Sequence, residues 1–166
     1  MEEQLQRLLD KQAIDEVLQR YCRTLDWLDE PGQASCYWPD ADIDYGFFEG
    51  RADEFVPMVM EHEQRAVKRW HLVGGAMIKV EGDKARAETY GISTGSSGAH
   101  ESSRMYGGRY LDELEKRNGE WRISKRMYIL DWTKTFSDET EGTKVEGGTL
   151  HTPDITKPGH DLYRAM

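Results

Sequence analysis

The stretch 13-AIDEVLQRYCRTLDWLD-29 decides the fold. Ile14, Val17, Leu18, Tyr21, Cys22, Leu25 and Leu28 recur at three- and four-residue spacing, which predicts an apolar stripe along one face of an α-helix. Such a face needs a sheet or a cavity wall to cover. Asp26 lies at the border of the stripe, one turn beyond Cys22, in the last turn before Glu30-Pro31-Gly32 breaks the helix. Periodicity alone does not single this aspartate out, because most aspartates in such places are solvated. Leu5, Leu8 and Leu9 extend the spacing upstream, so residues 2–29 read as one long helix or two joined ones.

Downstream the period changes. Gln33 to Tyr37 offers another helical turn, stopped by Trp38-Pro39-Asp40, after which residues 41–46 alternate as a strand. Phe47 to Gly50 reads as a second strand or a turn. Arg51 to about Lys68 is helical, with Phe55, Val56, Val59 and Met60 on its apolar face and Pro57 tolerated in its first turns. Trp70 to Val73 is extended and ends at Gly74-Gly75. From Ala76 to Phe136 the pattern is antiparallel sheet: a turn at Glu81-Gly82-Asp83, a strand to Thr94, a Gly/Ser loop over 95–103, and a hairpin at Arg117-Asn118-Gly119. Asn-Gly supplies the positive φ angles that tight hairpins demand. Two helical segments followed by long strands predict an α+β fold with helices on one face of a curved sheet. Residues 1–136 form the predicted domain. Residues 137–166 are polar, with Leu150, Ile155, Leu162 and Tyr163 as isolated anchors, and read as a lid, an intersubunit arm or disorder.

The 166 residues suffice for one domain with a real core. A net charge of -9, with basic residues scattered among acids, argues against nucleic acid or an anionic membrane surface as partner. The N-terminus is charged and helical rather than signal-like, and no apolar run reaches the length of a membrane span. The two cysteines, Cys22 and Cys36, lack metal-ligand spacing and read as packed, reduced thiols, so a cytoplasmic location is expected.

No phosphate loop, dinucleotide fingerprint, nucleophile elbow or zinc spacing occurs, so an enzyme reading defaults to chemistry without cofactor or metal. Five histidines are the candidate bases. His62 lies between glutamates on a helix, and His100, His151 and His160 lie in polar stretches. His71 differs, standing between Trp70 and Leu72 at a helix-to-strand junction, where a buried imidazole needs a polar partner.

Tyr21 and Asp26, then Trp38-Pro39-Asp40-Ala41-Asp42, His71, Gly108-Arg109-Tyr110 and residues 115–123 (EKRNGEWRI) together resemble the SnoaL-like, scytalone dehydratase-like branch of the nuclear transport factor 2-like superfamily. The resemblance spans about residues 5–136 and implies a cone-shaped curved antiparallel or mixed sheet, with N-terminal helices packed on it, enclosing a pocket. It implies a lyase in which His71 is the general base and Asp26 orients it, with Arg126 and Tyr21 stabilising charge. The bile-acid dehydratase branch carries a later sheet aspartate that has no counterpart at 93–97 here. Trp38, Tyr45, Tyr90, Tyr106, Tyr128 and Trp132 are the candidate substrate-binding aromatics, since such rings offer a flat apolar wall with polar tips. Strand alternation places Arg126 with Tyr128, Leu130 and Trp132, opposite Ile123, Met127 and Ile129. An ion pair of Arg126 with Asp131 or Glu88 is its structural alternative.

The expected activity is elimination of water, halide or a small aldehyde such as formaldehyde from a hydrophobic cyclic or aromatic compound, for example a lignin-derived diol. The rivals are a ketosteroid- or polyketide-type isomerase or cyclase, a non-catalytic small-molecule-binding module, and the small subunit of a ring-hydroxylating oxygenase. A homotrimer or homodimer is the implied assembly.

Overall fold

The computed structural model describes residues 1–66, 68–96 and 102–137, with the backbone of 144–145 and 148–149. Helix α1 runs from Glu2 to Asp26 and α2 from Glu30 to Ala34. Strands β1 (Tyr37–Asp44) and β2 (Glu49–Arg51) precede α3 (Ala52–Arg65). Then come β3 (Lys68–Val73), β4 (Met77–Glu81), β5 (Lys84–Ser96), β6 (Ser103–Arg117) and β7 (Glu120–Phe136). A short hairpin, β8 (Lys144–Val145) and β9 (Gly148–Thr149), stands apart as a two-stranded sheet. The rest of the polar tail, with its four anchor residues and His151 and His160, lies outside the described residues, as does His100.

The main sheet has the order β2-β1-β7-β6-β5-β3, with β4 pairing the first half of β5 while β3 pairs the second. It is mixed, since β1 runs parallel to β7 and the other pairs are antiparallel. The architecture is α+β, helices packed on a curved, unclosed sheet. The stripe of α1 is covered as its spacing requires: Ile14, Val17, Leu18, Tyr21, Cys22 and Leu25 are all buried. They meet Tyr37, Ile43, Phe55, Leu114, Trp121 and Ile123 from β1, α3 and the long strands. Leu5, Leu8 and Leu9 are exposed instead, because the first turns of α1 project beyond the sheet and only from Asp10 onward does it cover them.

Three local readings are corrected. Glu30-Pro31-Gly32 starts α2 instead of breaking the chain: Asp29 caps the helix by accepting from the Gly32 N–H at 2.9 Å, and proline is tolerated where no intrahelical N–H bond is needed. Trp38-Pro39-Asp40 lies inside β1, at a register irregularity between Tyr37 and Asp42 that spares the proline a ladder bond. The first helix ends at Asp26, where the N–H of Leu28 bonds to the Leu25 carbonyl and that of Asp29 to the Thr24 carbonyl. This is a helix-terminating loop of the kind usually built on glycine, with Leu28 at φ 54° in its place.

The hairpin at Asn118-Gly119 forms as expected, with φ 54° and 85°. Two bulges alter β7. Leu114 pairs with Ile123 and Glu113 with Lys125, so Ser124 is extra, and Gly108 pairs with Leu130 and Gly107 with Trp132, so Asp131 is extra. Each extra residue flips the alternation beyond it.

Candidate active site

Asp26 is the last residue of α1, and its carboxylate grips His71 at two points. Oδ1 is 2.7 Å from Nδ1 of the imidazole, and Oδ2 accepts the His71 backbone N–H at 3.1 Å. The side chains are 9 % and 20 % exposed, respectively for His71 and Asp26. The helix-ending loop through Leu28 fixes where the carboxylate stands, and pairing of His71 with Ser93 fixes the strand that carries the ring. An ionised carboxylate can only accept, so Nδ1 carries the hydrogen and Nε2 presents its lone pair.

Residues paired across a sheet share a face. His71 pairs with Ser93, Ser93 with Tyr106, and Tyr106 with Thr133, which sets four polar side chains in a row on the face that α1 covers lower down. Ser93 and Tyr106 are half-buried, so this end of the concave face is accessible. One row further in, Gly91 and Gly108 face each other. A Cβ on Gly91 would stand 2.8 Å from the Tyr110 ring, and one on Gly108 would stand 2.7 Å from the Tyr128 hydroxyl and 2.3 Å from the Ile129 carbonyl. The glycines are the room in which two tyrosines lie.

Those tyrosines belong to a cluster. Tyr45 stacks on Tyr128 and on Phe55, Tyr110 contacts Tyr21, Tyr45 and Tyr128, and the Tyr21 and Tyr45 hydroxyls bond at 2.9 Å. The Tyr21 ring stands edge-on to the His71 ring, 6.4 Å between centroids. Burial pushes the Tyr21 phenol well above its ordinary value, with neighbouring tyrosines adding to the effect, so it stays protonated and able to donate. Burial likewise raises Tyr45 and Tyr110.

Arg126 sits behind this cluster. Its Nε and Nη2 donate to the two oxygens of Asp112 at 2.7 and 2.8 Å, and its guanidinium lies 4.3 Å from the Tyr21 ring centre and 4.5 Å from that of Tyr110. It is 1 % exposed, and Asp112 is 3 % exposed. Burial opposes its charge, but Asp112, Tyr37 and Tyr45 outweigh this and hold the guanidinium firmly protonated. The Asp131 or Glu88 ion pair expected as its structural alternative belongs to Arg109, which is bidentate to Asp131 at 2.9 and 2.7 Å and 4.0 Å from Glu88. The bulge at Ser124 also puts Ile123 on the same side as Arg126, contrary to simple alternation.

The candidate aromatics divide. Tyr45, Tyr106 and Tyr128 lie on the His71 side of the sheet. Trp38 does not: it is packed between Arg117 and Arg122, with its indole N–H on the Glu115 carbonyl at 3.0 Å. Tyr90 faces outward, 58 % exposed and under Arg109. Trp132 is turned outward by the bulge at Asp131 and lies over Gly107.

One residue near the imidazole was missed. Glu63, in the last turn of α3, has Oε1 3.9 Å from Nε2 of His71 and Oε2 3.9 Å from Nε of Arg69. In the sequence it is one of two glutamates flanking His62 on an amphipathic helix, and only its helical phase, which sets it apart from exposed His62, could have marked it. The described residues hold no group of three or more His, Cys, Asp or Glu arranged to bind a metal ion.

The SnoaL-like domain profile matches residues 6–127. A search of curated proteins finds no match. Among solved structures, a hexachlorocyclohexane dehydrochlorinase, LinA-type3 from Novosphingobium barchaimii LL02, is 20 % identical, with a TM-score of 0.73 over 90 % of this chain and 99 % of that one. A scytalone dehydratase-like protein from Novosphingobium aromaticivorans DSM 12444 is 17 % identical, with a TM-score of 0.71 over 80 % of this chain and 91 % of its own. Rv3472 of Mycobacterium tuberculosis, a protein of unknown function, is 28 % identical, with a TM-score of 0.63 over 78 % and 75 %. At these identities the two Novosphingobium structures show the shared cystatin-like, cone-type fold.

Proposed function

The chain belongs to the SnoaL-like domain family, and from that premise we propose that it is a cofactor-independent lyase acting on a hydrophobic cyclic or aromatic compound. The observation that carries the reading is the two-point grip of Asp26 on His71. His71 Nε2 removes a proton from the substrate. Asp26 fixes the tautomer and stabilises the imidazolium that forms. Tyr21 is buried, so its hydroxyl acts through Tyr45, to which it is bonded. Arg126, with its Nε/Nη2 edge on Asp112 and Nη1 donating to the Tyr37 hydroxyl, steadies Tyr21 and Tyr110 from behind the site rather than meeting the departing group. That makes it a positioning residue.

Water, a halide or a small aldehyde could leave after the same proton abstraction. Tyr106 and Tyr128 with Ser93 supply the ring-binding wall with polar tips. His71→Ala and Asp26→Asn, assayed on a panel of aryl-substituted diols, hydroxyketones and halides, are expected to lose at least a hundredfold in kcat/KM on the true substrate. Activity within tenfold of wild type in both removes the dyad from the mechanism. An isomerase or cyclase would give a product of unchanged mass, which the same assay reads by mass spectrometry.

A further inference from the structure

Glu63 stands on the substrate side of the imidazole. Its Oε1 lies 3.9 Å from Nε2, the nitrogen that Asp26 leaves unbonded, and its side chain is 14 % exposed. That separation is too long for a direct hydrogen bond. It admits one oxygen at about 2.8 Å from each atom. The position is built: Arg69 Nε donates to the Glu63 carbonyl at 3.0 Å and Nη2 to the Ala66 carbonyl at 3.1 Å, tying the end of α3 to β3 two residues before His71. Arg69 is 7 % exposed and faces the carboxylate of Glu63 as well.

We infer that Glu63 accepts the hydrogen bond of a substrate hydroxyl beside His71, whose oxygen accepts in turn from Nε2–H once the imidazole has taken the C–H proton, and so selects a hydroxyl-bearing compound over its halogen counterpart. The inference rests on His71 being the base of the proposed lyase. A carboxylate has no hydrogen to give and must be met by a donor. A hydroxyl supplies one and a halogen does not. A departing halide also gathers negative charge next to a carboxylate, which opposes its formation. The two buried arginines on this face are committed elsewhere, Arg126 to Asp112 and Arg69 to Glu63 and the α3 carbonyls.

For loss of water the steps balance. Nε2 takes the C–H proton, that electron pair forms the new carbon–carbon double bond, and the carbon–oxygen bond breaks. The departing oxygen takes the proton back from Nε2 and leaves as water, while Glu63 is unchanged and holds the oxygen in line throughout.

The test uses three probes with one skeleton: 3-hydroxy-1-phenylpropan-1-one, 3-chloro-1-phenylpropan-1-one and propiophenone. The first two eliminate to the same enone, and the third reports binding without a leaving group. Glu63→Gln keeps size and removes charge, and Glu63→Ala removes the acceptor. Each is expected to lower the hydroxyketone-to-chloroketone ratio of kcat/KM by about tenfold, because a charge-assisted hydrogen bond is lost for one substrate and a repulsion relieved for the other. A role confined to pairing Arg69 would lower both substrates together and leave the ratio unchanged, which overturns the inference. Binding is read separately by calorimetry. The wild-type protein is expected to hold the hydroxyketone several-fold tighter than propiophenone, a preference that Glu63→Gln, which keeps a neutral acceptor, weakens and Glu63→Ala abolishes. If wild type turns over neither substrate, the lyase reading falls for these aryl ketones, and the binding preference alone decides Glu63: its survival in Glu63→Ala, or its absence in wild type, overturns the assignment.

Discussion

Arg126 and Asp112 form a buried ion pair whose partners are 1 % and 3 % exposed, enclosed by Tyr21, Tyr37 and Tyr110. Removing one partner leaves a charge stranded in low dielectric, which costs on the order of 3–5 kcal/mol. Asp112→Ala is therefore expected to lower the unfolding free energy by that amount in a chemical melt, whereas Asp131→Ala, which leaves the more exposed Arg109 with only the looser Glu88 contact, is expected to cost under about 1 kcal/mol. Burial pushes the Cys22 and Cys36 thiols up to about 12 and about 11. Neither is expected to react with a thiol reagent at neutral pH until the chain unfolds. His71 was legible as a single residue because it lies between apolar neighbours at an element boundary, whereas Asp26, at the border of an apolar stripe, was singled out only by the family resemblance. Their contact, across 45 positions, was legible only through the family resemblance. Asp112 was not legible as the partner of Arg126, since the pairing depends on a bulge at Ser124 that no local pattern announces.

At the scale of elements, α1 is pinned near its start as firmly as at its end. Asp10 Oδ1 accepts from Lys116 Nζ at 2.8 Å and from the Trp121 indole at 2.9 Å, both at the β6–β7 hairpin. Burial would raise its carboxyl, but the bonds from Lys116, Trp121 and Gln6 outweigh that and hold it below the ordinary value of 3.8. A lowered folded pKa means stability that is fully present above the unfolded value and is lost as pH falls through the folded one. Asp10→Asn is expected to destabilise the fold by about 1–3 kcal/mol at neutral pH and to flatten the acid limb of the stability profile below about pH 4. On β6, Gly108→Ala puts a Cβ against the Ile129 carbonyl, which is backbone and cannot move aside, and a cost above about 2 kcal/mol is expected. Helices and hairpin turns were readable because their signals are local. The parallel pairing of β1 with β7 was not, since it joins residues more than 80 positions apart.

Over the whole molecule, the two faces of the sheet differ in what they offer. The concave face carries α1, the tyrosines and the dyad. The convex face presents Trp70, Leu72, Leu111, Met127 and Trp132, each between 37 % and 49 % exposed. Such an apolar face on a mixed sheet suits contact with copies of the same chain. Light scattering is expected to give two or three times the 19.2 kDa of one chain, and Trp132→Lys with Leu72→Glu is expected to reduce it to one. No helix among the described residues is long and apolar enough to cross a membrane.

The central claim, that Asp26 works through His71, is tested most directly by a double-mutant cycle in kcat/KM on the substrate that the panel identifies. Asp26→Asn is expected to cost at least a hundredfold in the wild-type background and less than threefold when His71 is already alanine. An equal loss in both backgrounds would show that the aspartate acts without the imidazole, and would contradict the account.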